Sequence, residues 1–183
     1  SLIENLFKNG IIDKVLENNQ NFVENFEGEE LGHLPKMNLC IVTCMDTRLT
    51  NFLEPALGID REDAKIIRNA GNTIVGEDVI RSVAAAVYSL GCEEVMVIGH
   101  TNCGMKNANV DKIKSSMIEK GVPEEEINKV DLSKWIGSIE DEEINVIETV
   151  KKIKEHPLIA DGIIVHGLIV DIVTGELKVL VKG

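Results

Sequence analysis

Three side chains that bind soft metals sit in two short runs of this sequence. The first run is Cys44-Met45-Asp46-Thr47-Arg48, and the second is His100-Thr101-Asn102-Cys103. Two thiolates and an imidazole suit zinc, and three protein ligands leave a tetrahedral ion one position for water or substrate. An open position of that kind separates a catalytic ion from a structural one. The His-x-x-Cys piece lets one turn offer two ligands to a single ion, whereas Cys44 must arrive from elsewhere in the fold. Asp46 is placed to be a fourth ligand or the hydrogen-bond partner of zinc-bound water. Arg48 can hold that carboxylate in a bidentate, charge-assisted pair, which keeps Asp46 ionised and aimed.

Each piece alone has an ordinary explanation. A single His-x-x-Cys arises by chance in a chain of 183 residues, and a cysteine in an apolar strand commonly just fills core. Asp46 and Arg48 could form a loop salt bridge worth about 0–1 kcal/mol. A structural zinc would want a fourth Cys or His close by, and the remaining candidates do not supply one. Cys40 precedes Cys44 in the same strand, about 13 Å away by strand rise, and reads as a core thiol. That separation also argues against a redox pair of Cys40 and Cys44. Cys92 lies at the far end of the strand that leads into His100. His156 stands before Pro157 at a helix end, where it suits the helix dipole. His166 falls inside a strand, and His33 in a polar loop.

Hydrophobic patterning supplies the elements that must position the two runs. Leu39 to Thr43, Lys65 to Ile67, Glu94 to Gly99 and Gly162 to Val170 are strand candidates. In the third, Val95-Met96-Val97-Ile98 is continuous rather than alternating, as in a strand covered on both faces. Helical spacing marks residues 2–27, interrupted at Gly10, and Asp78 to Leu90, with Asp78 as its cap. It also marks Asn107 to Lys120, ended by Gly121-Val122-Pro123, and Glu142 to Glu155, stopped by Pro157. Arg68-Asn69-Ala70-Gly71-Asn72 suits a tight turn. Thr174-Gly175 turns the chain into a last strand, Leu177 to Val181, antiparallel to the fourth.

Strands alternating with helices predict an α/β fold: a mostly parallel central sheet with an antiparallel edge strand, flanked by helices. Residues 1–183 read as one domain, with an N-terminal helical arm over 2–27 and the α/β core over 38–183. Such sheets bind ligands in the crevice beyond the carboxyl ends of their strands. Cys44 and His100 both follow strands of this kind. The ligand chemistry and the topology therefore converge on one crevice.

Composition narrows the partners. The chain is 44% hydrophobic, enough for one substantial core, and carries 19 basic against 31 acidic residues, a formal net charge of −12. This balance argues against binding nucleic acid, whose phosphates call for clustered Lys and Arg. No apolar run approaches the roughly 20 residues of a membrane span. No basic-then-apolar leader opens the sequence, so the expected location is cytoplasmic. Four cysteines in a reducing compartment read as thiols or metal ligands rather than disulfides.

With these residues in hand, the chain resembles the β-class carbonic anhydrases. The resemblance rests on Cys44-x-Asp46-x-Arg48, on Arg68-Asn69-Ala70-Gly71-Asn72, and on Gly99-His100-Thr101-Asn102-Cys103-Gly104-Met105. Val165-His166-Gly167-Leu168 through Thr174-Gly175-Glu176-Leu177 is similar to that family's closing strands. The His-Thr-x-Cys-Gly-Met wording and short length look most like the compact, archaeal-type branch. The resemblance implies one zinc per chain on Cys44, His100 and Cys103, with Asp46 and Arg48 as a catalytic dyad. It also implies a homodimer or higher oligomer, the N-terminal arm reaching over the partner. The implied activity is zinc-dependent, reversible hydration of carbon dioxide to bicarbonate and a proton, with hydroxide generated at the metal as nucleophile. Asp46 would orient that hydroxide, or displace it by binding zinc in a closed state. The alternatives are hydrolysis of carbonyl sulfide or carbon disulfide on the same scaffold, or a non-catalytic zinc- or bicarbonate-binding module.

Overall fold

The computed structural model describes residues 10–183. The chain divides into two compact units between Gly32 and His33. In the first unit, helix α1 (Ile11–Asn25) begins after Gly10, whose φ of 78° lies outside the helical region. Its apolar residues, among them Ile11, Val15, Leu16, Phe22 and Val23, are all exposed, and Phe22 stacks on Phe26. The part of the expected helix before Gly10 lies outside the described residues.

The second unit is a five-stranded sheet in the order β2-β1-β3-β4-β5. Its strands are β1 (Leu39–Cys44), β2 (Ala64–Asn69), β3 (Glu94–His100), β4 (Ile164–Val170) and β5 (Leu177–Val181). The first four are parallel, and β5 runs antiparallel on β4, as the sequence predicts. Every residue of β1 is buried. From Leu39 to Val42 its side chains alternate between two cores, and Cys44 at its end joins the core of Leu39 and Ile41. Cys40 and Val42 face α3 (Asp78–Tyr88) and α7 (Glu142–Glu155), meeting Val79, Val83, Val146, Val150 and Ile153. Leu39 and Ile41 face the other core, with Leu49, Ile98 and Leu53, the last on α2 (Leu53–Leu57).

Two glycines let α7 approach the sheet closely. A Cβ at Gly99 of β3 would lie 2.6 Å from Val146, and one at Gly167 of β4 would lie 2.9 Å from Val146 and 3.0 Å from Val150. Val146 is fully buried over this pair. Asp141 caps α7 by accepting from the Ile144 N–H, and the helix stops at His156, before Pro157.

The structure refines several boundaries. Helix α3 starts with Asp78 as its first residue and Glu77 as its cap, because the Asp78 carboxylate binds Arg81 instead of a backbone N–H. Helix α4 (Val110–Glu119) starts late, where Asn109 accepts from the Lys112 N–H, leaving residues 104–109 as loop. The acidic segment after Pro123 folds into short helices α5 (Glu124–Ile127) and α6 (Leu132–Ile136), held by burying Ile127 and Leu132. Such short pieces are set by tertiary burial, not by periodicity. Among the described residues, no helix is long and apolar enough to cross a membrane.

Replacing Gly167 with Ala should lower the unfolding free energy by about 1–3 kcal/mol through overpacking beneath α7. Urea titration of G167A, V146A and the double variant checks this. The double variant should lose clearly less than the sum of the two singles, because removing Val146's methyls makes room for the added Cβ.

Candidate metal centre

The parallel pairing of β1 on β3 places Thr43 opposite Ile98, so Cys44 and His100 emerge at the same carboxyl end of the sheet. The Thr43 hydroxyl donates to the Ile98 carbonyl at 2.7 Å and fixes that register at the strand ends. Beyond His100 the chain turns through Asn102, which takes a left-handed φ of 54°, and returns Cys103 to the cluster. Asparagine tolerates that conformation better than most residues. The Cys44 and Cys103 sulfurs and a His100 ring nitrogen all lie within 4.8 Å of one another, and all three residues are buried.

The imidazole carries the decisive detail. His100 Nδ1 lies 2.8 Å from the Thr101 carbonyl, which can only accept, so the proton sits on Nδ1 and Nε2 presents its lone pair. That Nε2 is buried without a hydrogen-bond partner. A buried, unpaired acceptor is costly, and a metal ion would satisfy it. In a tetrahedral zinc site, bonds of about 2.0–2.3 Å set ligand atoms roughly 3.5–3.8 Å apart, a small closure from this spacing. The donor set fits zinc.

Electrostatics around the thiols agree. The Cys44 thiol is lowered to about 4, first because Cys103 donates to its sulfur, with the N–H groups of Asp46 and Gly71 adding to this against burial. Cys103 is pushed up by the neighbouring Cys44 thiolate and by burial. Burial pulls the His100 pKa down, but Cys44, the Thr101 carbonyl and Asp46 outweigh it and the net shift is upward.

Asp46 leaves the end of β1 and caps the 3-10 turn Thr47–Leu49. Its Oδ1 accepts from the Arg48 N–H at 2.8 Å and from Arg48 Nε at 3.0 Å. Its Oδ2 accepts from Arg48 Nη2 at 2.8 Å and lies 3.7 Å from His100 Nε2. The hydrogen bonds from Arg48 hold the Asp46 carboxyl down at about 2 despite partial burial. The same Nη2 donates to the Asn102 carbonyl at 2.7 Å. One guanidinium therefore ties the carboxylate to the turn between His100 and Cys103.

The sequence profile of the carbonic anhydrase family matches residues 39–177. A Bacillus subtilis protein, YvdA, whose carbonic anhydrase name is provisional, is 38% identical over 94% of this chain and 92% of its own. The crystal structure of β-carbonic anhydrase isoform I from Trichomonas vaginalis superposes with a TM-score of 0.89, at 37% identity, over 95% of this chain and 99% of that one. The chain belongs to the β-class carbonic anhydrases. A carbon disulfide hydrolase from Acidithiobacillus thiooxidans is also related, 32% identical over 87% of this chain and 88% of its own.

The other sulfur and imidazole groups of this carbonic anhydrase lie apart from the cluster. Cys40 and Cys92 sit in the core, and burial, with Cys92 nearby, pushes the Cys40 thiol up to about 12. The His156 ring bridges Glu77 Oε2 and the Leu158 N–H at the end of α7. His166 accepts from the Gly183 N–H, and His33 is exposed in its loop. A groove of about 610 Å³ runs past Thr73, Lys134, Asp141, Asn145 and Lys152, but no ligand candidate lines it. Two participants at the site escape sequence reasoning: the Asn102 backbone, which meets Arg48, and the Gly71 N–H, which meets the Cys44 sulfur. Both act through main-chain atoms, and residue type does not report those. The Arg68–Asn72 turn motif is the one signal that pointed near Gly71.

Replacing Arg48 with Met in the metal-free protein should raise the Asp46 pKa from about 2 toward its ordinary 3.8. Because the folded-state pKa is depressed, the pair's contribution to stability is complete above pH 3.8 and is lost as pH falls through about 2. Side-chain carboxyl NMR titration of both proteins measures the shift. An unchanged Asp46 midpoint would contradict this account.

Proposed function

We propose that Cys44, His100 and Cys103 hold one zinc ion per chain and that Asp46 and Arg48 form the catalytic pair for reversible hydration of carbon dioxide to bicarbonate and a proton. The observation that carries this reading is the convergence of two sulfurs on the unpartnered, buried Nε2 of His100. Zinc held there would lower the pKa of coordinated water from 15.7 to about 7 and so supply hydroxide at neutral pH. The chain's own contribution is alignment. Asp46 stays ionised at every working pH, so it accepts a hydrogen bond from the nucleophile and turns its lone pair toward carbon dioxide. Arg48 fixes both carboxylate oxygens and so keeps Asp46 off the metal. If that clamp loosened, Oδ2, which lies 3.7 Å from His100 Nε2, would be free to serve as a fourth ligand and close the site.

The wider reading is one domain with residues 2–27 as its arm, of the compact, archaeal-type branch supported by the chain's length and its His-Thr-x-Cys-Gly-Met run. The exposed apolar side chains of α1 support assembly into a homodimer or larger homo-oligomer. Four free thiols support a reducing, cytoplasmic setting. Carbon disulfide or carbonyl sulfide hydrolysis is the second reading, favoured by the related carbon disulfide hydrolase. Side-by-side assays with the three linear substrates decide between them. Zinc-loaded protein that turns over none of the three would leave a binding module.

Arg48→Ala should reduce kcat/KM for carbon dioxide hydration by about 10- to 100-fold while the zinc content stays near one per chain. Stopped-flow hydration assays paired with metal analysis test this. Wild-type turnover in the variant would remove Arg48 from the mechanism.

A further inference from the structure

A second carboxylate holds the metal turn from the opposite side to Arg48. Glu142 is the first residue of α7, distant in sequence from both metal runs, and its side chain is only 14% exposed. Its Oε2 accepts from the Asn102 N–H at 3.0 Å, and its Oε1 pairs with Lys106 Nζ at 3.0 Å. Lys106 belongs to the same loop, and its N–H donates to the Cys103 carbonyl at 3.1 Å. One carboxylate thus spans both ends of the turn that carries Cys103.

The peptides on either side of the Asn102 Cα are held by opposite charges. Glu142 takes the N–H of one, and Arg48 Nη2 donates to the carbonyl of the other. Asn102 has a left-handed φ, a conformation that needs support from its surroundings. Glu142 can give that support because Val146, one helical turn further on the same face of α7, is seated over Gly99 and Gly167. Gly99 immediately precedes His100. The packing that seats α7 on β3 therefore also aims Glu142 at the turn leaving β3.

We propose that Glu142 is a positioning residue for the metal centre. It holds the His100–Cys103 turn so that both ligand atoms face Cys44 and the Asn102 carbonyl meets Arg48. This inference rests on the reading of Cys44, His100 and Cys103 as zinc ligands. A carboxylate at a helix start also complements the helix dipole, and that role must be separated from positioning. Glu142→Asp keeps the charge at the helix start but withdraws it by one methylene from Asn102. Glu142→Gln keeps an acceptor at full length and loses the charge. Glu143→Ala removes a neighbouring first-turn carboxylate that pairs with Lys178 rather than with the turn.

Zinc release from each full-length, zinc-loaded protein to an excess of a coloured chelator is the first measurement. The second is the absorption spectrum of the cobalt(II)-substituted forms, whose bands follow ligand geometry. E142D should release zinc about tenfold faster than wild type and shift the cobalt bands, as loss of a group that orients metal ligands does. E142Q should recover most of the wild-type rate, and E143A should match wild type in both readouts. Wild-type release and an unshifted spectrum in E142D would overturn the proposal, as would an equal effect in E143A. Loss of the folded far-ultraviolet spectrum in E142D would make Glu142 a residue of the fold and overturn it too. Wild-type protein that holds no zinc would sink this inference together with the metal reading; wild type that holds zinc separates the two.

Discussion

The site depends on one pairing, the parallel register of β1 on β3. With Thr43 opposite Ile98, the strands deliver Cys44 and His100 to the same end of the sheet, His100 one residue further along. A slip of one residue would invert every side chain of β1 between its two faces, and burial on both faces makes that slip costly. Cys40 and Val42 would have to exchange cores with Leu39 and Ile41. The hydrophobic cores thus set the distance between the Cys44 run and the His100 run.

Buried sulfurs and a buried imidazole nitrogen converge at the cluster. The Cys44 thiol is held low by the hydrogen bond from Cys103, and the imidazole nitrogen beside these two sulfurs is buried without a partner. A divalent cation answers all three groups at once, neutralising thiolate charge where burial otherwise penalises it. Asp46 lies at the rim under a different constraint. Its two oxygens are occupied by Arg48, and Arg48 is itself tied to the Asn102 carbonyl. The carboxylate is therefore indexed to the same turn that carries Cys103. Asp46, Arg48 and the turn that carries Cys103 belong to one hydrogen-bonded unit.

The parts legible in the sequence are those set by local pattern. Apolar runs located the first four strands and the Thr174-Gly175 turn the fifth, and the sheet class follows from their alternation with helices. The ligand candidates were legible because cysteine and histidine at strand ends are scarce and chemically distinctive. Glu142 was not legible, since an acidic residue at a helix start has an ordinary role there and nothing local marks a partner 40 residues away. The short helices α5 and α6 escaped for a related reason: the burial of Ile127 and Leu132 defines them, and burial is a property of the assembled fold. Asp78 misled because a carboxylate before an apolar-periodic run reads as a cap, while Arg81 lies in reach as a competing partner.

Gly99 and Gly167 join these layers. Their missing side chains let α7 settle where any Cβ would meet Val146. Interiors are close-packed and transmit such displacements instead of absorbing them. A shift of α7 away from β3 would move Glu142 with it, since Glu142 and Val146 lie one turn apart on the same rigid helix. The Asn102 peptide would then lose its acceptor, and the left-handed turn between His100 and Cys103 would lose the support of one charged partner. Arg48 would still bind the Asn102 carbonyl, but a carbonyl free to swing no longer fixes the guanidinium, nor through it Asp46. Two sheet positions without a Cβ are thereby coupled to the aim of a carboxylate at the crevice mouth, through a helix that supplies none of the cysteine and histidine side chains of the cluster.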